Sequence, residues 1–362
     1  MKRFKQNQMS IKSSLRAKKI NLKVLIPILI VCCIVCYFGG KFFAYLTKPV
    51  IDLNGKSTET VYIPTAADIN DVRQLLLFDG WLTDENAFNF VASLMHYSDN
   101  VKPGRYTIKD QMTARSLISL LRSGNQTQVK VTFNSLRTRE QLAGIVARYL
   151  ETDSVTLLAA MRDTAQIHAF GFSEATIPAM FIPNTYQFFW TCDGAGWMQR
   201  MHAEYEKFWN ETRRHKADSI GLSPVEVSIL ASIIEEETNK IDEMPIIAGL
   251  YLNRLRINML LQACPTLKYS LGDFTIRRLT TADKSVESPY NTYKYAGLPP
   301  GPIRIPSVQA LDAVLNADNN KYLYMCARPD DSGRNCFART LKEHNRNAAQ
   351  YQQYLNRKKI YR

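Results

Sequence analysis

The chain has 362 residues, 46% of them hydrophobic and 22% charged, which excludes a disordered chain and is too long for one average domain. Its formal charge is +13, but eight of the 46 Lys and Arg fall within residues 1–23, which hold no Asp or Glu, so the remainder carries only +5. A nucleic-acid partner therefore loses its main support.

Residues 1–23 read as a basic cytoplasmic tail. Residues 24–40 carry no charge, and the apolar character extends past Lys41 to Leu46, approaching the roughly 20 residues that a bilayer requires. The run is too long for a cleaved signal peptide and no small-x-small site follows it, so residues 24–46 are expected to form an uncleaved membrane anchor. Positive charge before the span places the tail in the cytoplasm and everything beyond about Thr47 outside it.

Residues 55–130 read as a small domain of strand, helix, helix and strand. Strands are expected at 60–63 and 103–108, and helices at 69–78, 84–95 and 113–121, the last stopped by Gly124. Three stretches, beginning near Ala67, Met112 and Arg137, share a polar start before an apolar helix. Residues 131–362 are expected to form a larger mixed domain, making the whole chain α+β. Within it the aromatic run 180–190 reads first as core.

The helix beginning after Ser223 is the best signalled element. Ser223, Pro224 and Glu226 form a capping box with proline at the first helical position. Val227, Leu230, Ala231 and Ile234 fall on one stripe, Glu236 lies opposite it, and Glu235 and Glu237 flank it at roughly 70 to 90°. Only a flanking carboxylate can be half-buried and still reach a cleft. Partial desolvation would keep such an acid protonated near neutral pH. Periodicity leaves Glu235 and Glu237 equivalent.

Beyond the Gly/Pro-rich loop 297–306, a helix is expected at 308–316, strands at 322–327 and 337–340, and a closing helix at 341–355. Cys326 and Cys336 flank a hairpin-like loop symmetrically about Asp331, suggesting a cross-strand disulfide in an exported domain. The histidines show no metal-ligand spacing, and there is no phosphate loop or serine elbow, so neither a metal nor another cofactor is expected. A ligand role for His344 is less expected than packing, and Arg254 reads as a structural ion pair.

Five stretches in order, Ala231-Ser-Ile-Ile-Glu-Glu-Glu-Thr238, Asn253-Arg-Leu255, Leu261-Gln262 with Pro265-Thr266 and Tyr269, Tyr290-Asn-Thr-Tyr293, and Gly297-Leu-Pro-Pro-Gly-Pro-Ile303, resemble the YceG-like endolytic murein transglycosylases. The resemblance implies cleavage of peptidoglycan glycan strands and places the catalytic glutamate on Glu235, with Glu237 in reserve. It also implies that residues 55–130 are LysM-like and hold glycan. Membrane-bound peptidoglycan synthases are the implied partners, met on the outer side of the cytoplasmic membrane. Gln262, Tyr290, Asn291 and Tyr293 are candidates for orienting sugar hydroxyls and N-acetyl groups, since amides and phenols give directed hydrogen bonds without competing charge.

One carboxyl would protonate the oxygen linking MurNAc to GlcNAc and then take the proton of the MurNAc C6 hydroxyl as it attacks C1, leaving a 1,6-anhydro end. The chain departs from the family pattern at Ala179 and Met180, at Asn184 where the family has Asp, and at Cys264 where Asp is frequent. Two other readings remain open: a non-catalytic glycan-binding scaffold, and a hydrolase that uses water.

Overall fold

A computed structural model describes residues 22–276 and 279–358; residues 1–21 of the basic tail lie outside them. The fold is mixed α+β and divides between Asn125 and Gln126 into two compact units, five residues before the boundary read from the sequence.

In the first unit, helix α1 (Leu22–Thr47) is long and apolar enough to cross a membrane. Its side chains from Leu25 to Phe43 are exposed, an apolar surface suited to lipid rather than water. Its last turns dock within the unit, where the rings of Phe42 and Tyr45 meet Phe90 at 5.8 and 5.4 Å. Then follow β1 (Thr58–Ile63), α2 (Ile69–Phe78), α3 (Glu85–Leu94), β2 (Gly104–Lys109) and α4 (Ala114–Ser123). Strands β1 and β2 pair antiparallel, Thr58 opposite Lys109 and Ile63 opposite Gly104. Their alternation turns Val61, Ile63, Tyr106 and Ile108 into the core.

The second unit comprises β3 (Val129–Phe133), α5 (Arg139–Val146), α6 (Ser154–Ala160), α7 (Thr164–Ala169), β4 (Asn184–Phe188), α8 (Gly194–Phe208), α9 (Glu211–Ser219), α10 (Pro224–Glu237), α11 (Met244–Arg256), α12 (Cys264–Leu271), α13 (Val308–Leu315), β5 (Tyr324–Ala327), β6 (Asn335–Ala338) and α14 (Leu341–Arg357). The three similar stretches noted in the sequence are helix starts of one kind. Asp68, Thr113 and Thr138 each accept a backbone N–H from the first turn of α2, α4 and α5.

The aromatic run 180–190 is largely core, as expected, with Met180, Phe181, Ile182, Tyr186 and Phe188 buried, and it also holds a strand, β4, paired antiparallel with β3, that turns Asn184 and Gln187 outward. The partner strand lies some fifty residues away, so local pattern shows the apolar run but not the pairing. One expectation is corrected: helix α10 has no single core stripe. Every residue from Val227 to Ile234 is buried, Ser228 and Ser232 included, so the helix runs through the centre of the unit. The two serines are accommodated because Ser228 donates to the Pro224 carbonyl, while Ser232 donates to the Ile229 carbonyl and accepts the Ile303 N–H at 3.0 Å.

The Ile303 contact holds the 297–303 loop against α10. Gly301 sits where a Cβ would fall 1.9 Å from the carbonyl oxygen of Ala175, so no side chain fits without moving backbone. Gly301→Ala is therefore expected to lower stability by about 2–4 kcal/mol, a fall of several degrees in Tm measurable by calorimetry. Strand register sets Cys326 directly opposite Cys336, as separate thiols.

Candidate active site

The three glutamates closing α10 point to three different surroundings. Glu235 Oε2 accepts the backbone N–H of Ser307, the N-cap of α13, at 2.7 Å, with Arg304 Nε at 3.8 Å from the same oxygen. Glu236 is held by Arg137, whose Nε and Nη2 each donate at 3.1 Å, and by Arg304 Nη1 at 2.6 Å. Glu236 is thus the centre of an ion cluster rather than a solvated carboxylate.

Glu237 alone among them lines a cleft of about 420 Å³. Helix α11 supplies Tyr251 and Arg254 to this cleft, one turn apart on the same face. The buried Tyr251 hydroxyl donates to Glu237 Oε1 at 2.9 Å. Burial pushes the Glu237 carboxyl up to about 7, against the opposing pull of the Tyr251 hydrogen bond and the positive charges of Arg254 and Lys268. Near neutral pH it therefore exists in both forms. Among the described residues lining the cleft, Glu237 is the only carboxylate.

Arg254 is itself buried, and it donates to backbone carbonyls: Nε to Leu323 at 2.6 Å and Nη1 to Leu261 at 2.7 Å and Leu260 at 3.3 Å. The ion pair expected for it is replaced by these bonds. Neighbouring Asn253 donates to the carbonyls of Asn320 and Tyr322, so the Asn-Arg pair clamps the segment leading into β5.

Of the four proposed sugar-orienting residues, Gln262 and Tyr293 line the cleft with Glu237. They come from two loops knitted together: Gln262 donates its N–H to the Thr292 carbonyl, and Ala263 N–H and the Thr266 hydroxyl both reach the Thr292 hydroxyl within 3.0 Å. Gln262 adopts φ 48°, which turns the chain at the cleft edge. Asn291 is fully buried. Its amide donates to the carbonyls of Lys284 and Val286, and its oxygen accepts the Tyr293 N–H, so it builds the loop and has nothing left for a sugar. Tyr290 packs on Tyr269, ring centroids 4.6 Å apart, and does not line the cleft.

Cys264, at the position where the family pattern often has Asp, lies 3.3 Å from the Tyr293 hydroxyl at the cleft. Ala179, Met180 and Asn184, the other departures, do not line it, and Asn184 lines a separate cavity. Tyr251, Tyr324 and His344 line the cleft without having been singled out for it. Polar residues at i and i+3 on the otherwise apolar α11 are the signal that identifies Tyr251. Tyr324 and His344 stack at 5.4 Å and carry no comparable pattern. Burial lowers the His344 pKa, with the Arg254 charge adding to it, which favours neutral imidazole. Among the described residues no group of three or more His, Cys, Asp or Glu could hold a metal ion.

The model of the YceG-like family matches residues 61–350, a span that includes this entire cleft. The chain belongs to the YceG-like family. It is 27% identical over 339 residues to an endolytic murein transglycosylase of Bacillus subtilis, covering 88% of this chain and 92% of that one. It is 26% identical over 349 residues to an endolytic murein transglycosylase of Streptococcus pneumoniae, covering 87% of this chain but only 62% of that longer protein. A crystal structure of a YceG-like protein from Listeria monocytogenes superposes with a TM-score of 0.52 at 27% identity, over 81% of this chain and 99% of that one.

Proposed function

We propose that this YceG-like protein is a membrane-anchored lytic transglycosylase of peptidoglycan and that Glu237, rather than Glu235, is its acid. The observation that carries the reading is a carboxyl poised near neutrality at a cleft shared with Gln262 and Tyr293. Glu237 gives its proton to the oxygen between MurNAc C1 and GlcNAc, and the C1–O bond breaks through an oxocarbenium-like state. The resulting carboxylate takes the proton of the MurNAc C6 hydroxyl as O6 bonds to C1. The acid is regenerated, no water is consumed, and a 1,6-anhydro end is left.

Ordinary glycosidases need a second carboxylate within about 5–10 Å to serve as nucleophile or to activate water. That Glu237 is the one carboxylate among the described residues lining this cleft favours a nucleophile supplied by the substrate itself, where proximity does the work. Tyr251 fixes the orientation of Glu237, while Gln262 and Tyr293 are placed to hold sugar substituents.

The apolar α1 serves as the anchor, with the basic tail in the cytoplasm and the chain beyond α1 outside it. The βααβ arrangement of the first unit is read as LysM-like and as a holder of glycan. An anchored cleft would meet new strands near the bilayer, in the company of membrane-bound synthases.

The test is mass spectrometry of sugars released from uncrosslinked strands by the full chain in detergent. Anhydro-MurNAc ends are expected. Reducing ends would establish a hydrolase instead, and uncut but bound strands would favour a scaffold.

A further inference from the structure

A second cavity of about 460 Å³, with amide, hydroxyl and carboxylate side chains in its wall, opens on another flank of α10, around Glu235. Glu235 and Glu237 are two residues apart, about 200° around the helix, so the two cavities share one helix end. The second is bounded by Asn134, Asn184, Thr185, Glu235, Ser307 and Gln309. Asn134, Asn184, Thr185 and Gln309 are exposed, while Glu235 is half-buried.

We propose that this basin is a second saccharide-binding subsite of the catalytic unit, taking an uncharged acetamido sugar of the same glycan strand that Glu237 cuts; it rests on the function proposed above. Much of its hydrogen-bonding capacity is unspent. The amides of Asn134 and Gln309 make no hydrogen bond to the described residues, and Glu235 accepts its one described bond, from Ser307, through Oε2. Amide groups that both donate and accept, beside a fixed carboxylate oxygen, match a ring bearing hydroxyls and an N-acetyl group. Glu235 in the wall disfavours the carboxylates of a peptide stem, so neutral sugar is the better occupant. A strand passing from one cavity to the other would cross Glu236, whose charge is already matched by Arg137 and Arg304. The basin also gives a use to Pro183-Asn184-Thr185, which the reaction at Glu237 leaves idle.

The experiment uses the full chain in detergent carrying Glu237→Gln, so that strands are bound but not cut. Affinity is measured for peptide-free glycan strands and for strands that retain their stems. Asn134→Ala and Gln309→Ala, both at exposed positions, and Gln309→Trp, which fills the basin, are compared at unchanged Tm. Each alanine variant should weaken binding of both strand types by about three- to tenfold, the worth of one hydrogen bond, and the Trp variant by at least as much. Affinities within twofold of the parent for all three would overturn the proposal, as would weakening confined to stem-bearing strands. Anhydro ends appearing in these samples would count against Glu237 as the acid and not against the basin; its substitutions would then be read in the cutting chain, as a raised KM at constant kcat if the subsite exists and an unmoved KM if it does not.

Discussion

Glu237→Gln is expected to lower strand cleavage by at least about a thousandfold at every pH, because an amide can neither give nor take the proton that both halves of the reaction need. Glu235→Gln should cost about tenfold or less, since the bond it perturbs is the one to the Ser307 N–H rather than one at the reacting oxygen. The pH profile of the parent gives an independent check. With the Glu237 carboxyl near 7, the protonated form that starts the reaction predominates below that value, so kcat/KM should fall about tenfold per pH unit above it. A limb falling near the ordinary carboxylate range of about 4 to 5 would contradict the assignment.

The same raised pKa has a stability signature of definite sign. A carboxyl whose folded pKa lies above its unfolded one binds its proton more tightly when folded. Its contribution is complete below the ordinary value of 4.5 and is lost as pH rises through about 7. Glu237→Gln should therefore stabilise the protein at pH 8.5 relative to the parent, by roughly 3 kcal/mol, and change little at pH 4. In the role proposed for it, a carboxyl held against its solvation preference is a site where stability is given up for activity.

This pair of expectations also shows where sequence pattern stops. Helix starts are legible because a cap and the N–H it satisfies lie within three residues, as for Ser223 with Glu226 and Thr138 with Gln141. The choice between Glu235 and Glu237 is not local. What distinguishes them is Ser307, 72 residues beyond one, and Tyr251, 14 residues beyond the other on a separate helix. The family resemblance fixes the three-glutamate run but, as read onto the first of the three, places the acid outside the cleft that holds Gln262 and Tyr293. Asn291 shows the same limit from the other side. Its residue type suits sugar binding, yet its full burial and three loop bonds are set by folding of the segment from 284 to 293.

Arg254→Met is expected to destabilise the second unit by about 3 kcal/mol or more, lowering Tm by roughly 6 °C or more. The side chain is buried and satisfies three carbonyls, those of Leu260, Leu261 and Leu323. Methionine fills comparable volume but leaves these acceptors without donors, and an orphaned buried carbonyl costs about 1–3 kcal/mol. The substitution also removes a positive charge that pulls the Glu237 pKa down, so the alkaline limb of activity should move above 7. Arg254→Lys separates the two effects. It keeps the charge, and with it most of the Glu237 titration, but a single ammonium cannot reproduce the spread of donors that reaches both Leu323 and the 260–261 turn. Stability lost in both variants with the limb displaced only in Met would show that Arg254 acts on the acid through its charge and on the fold through its geometry. A limb unmoved in Arg254→Met would confine the residue to the second role.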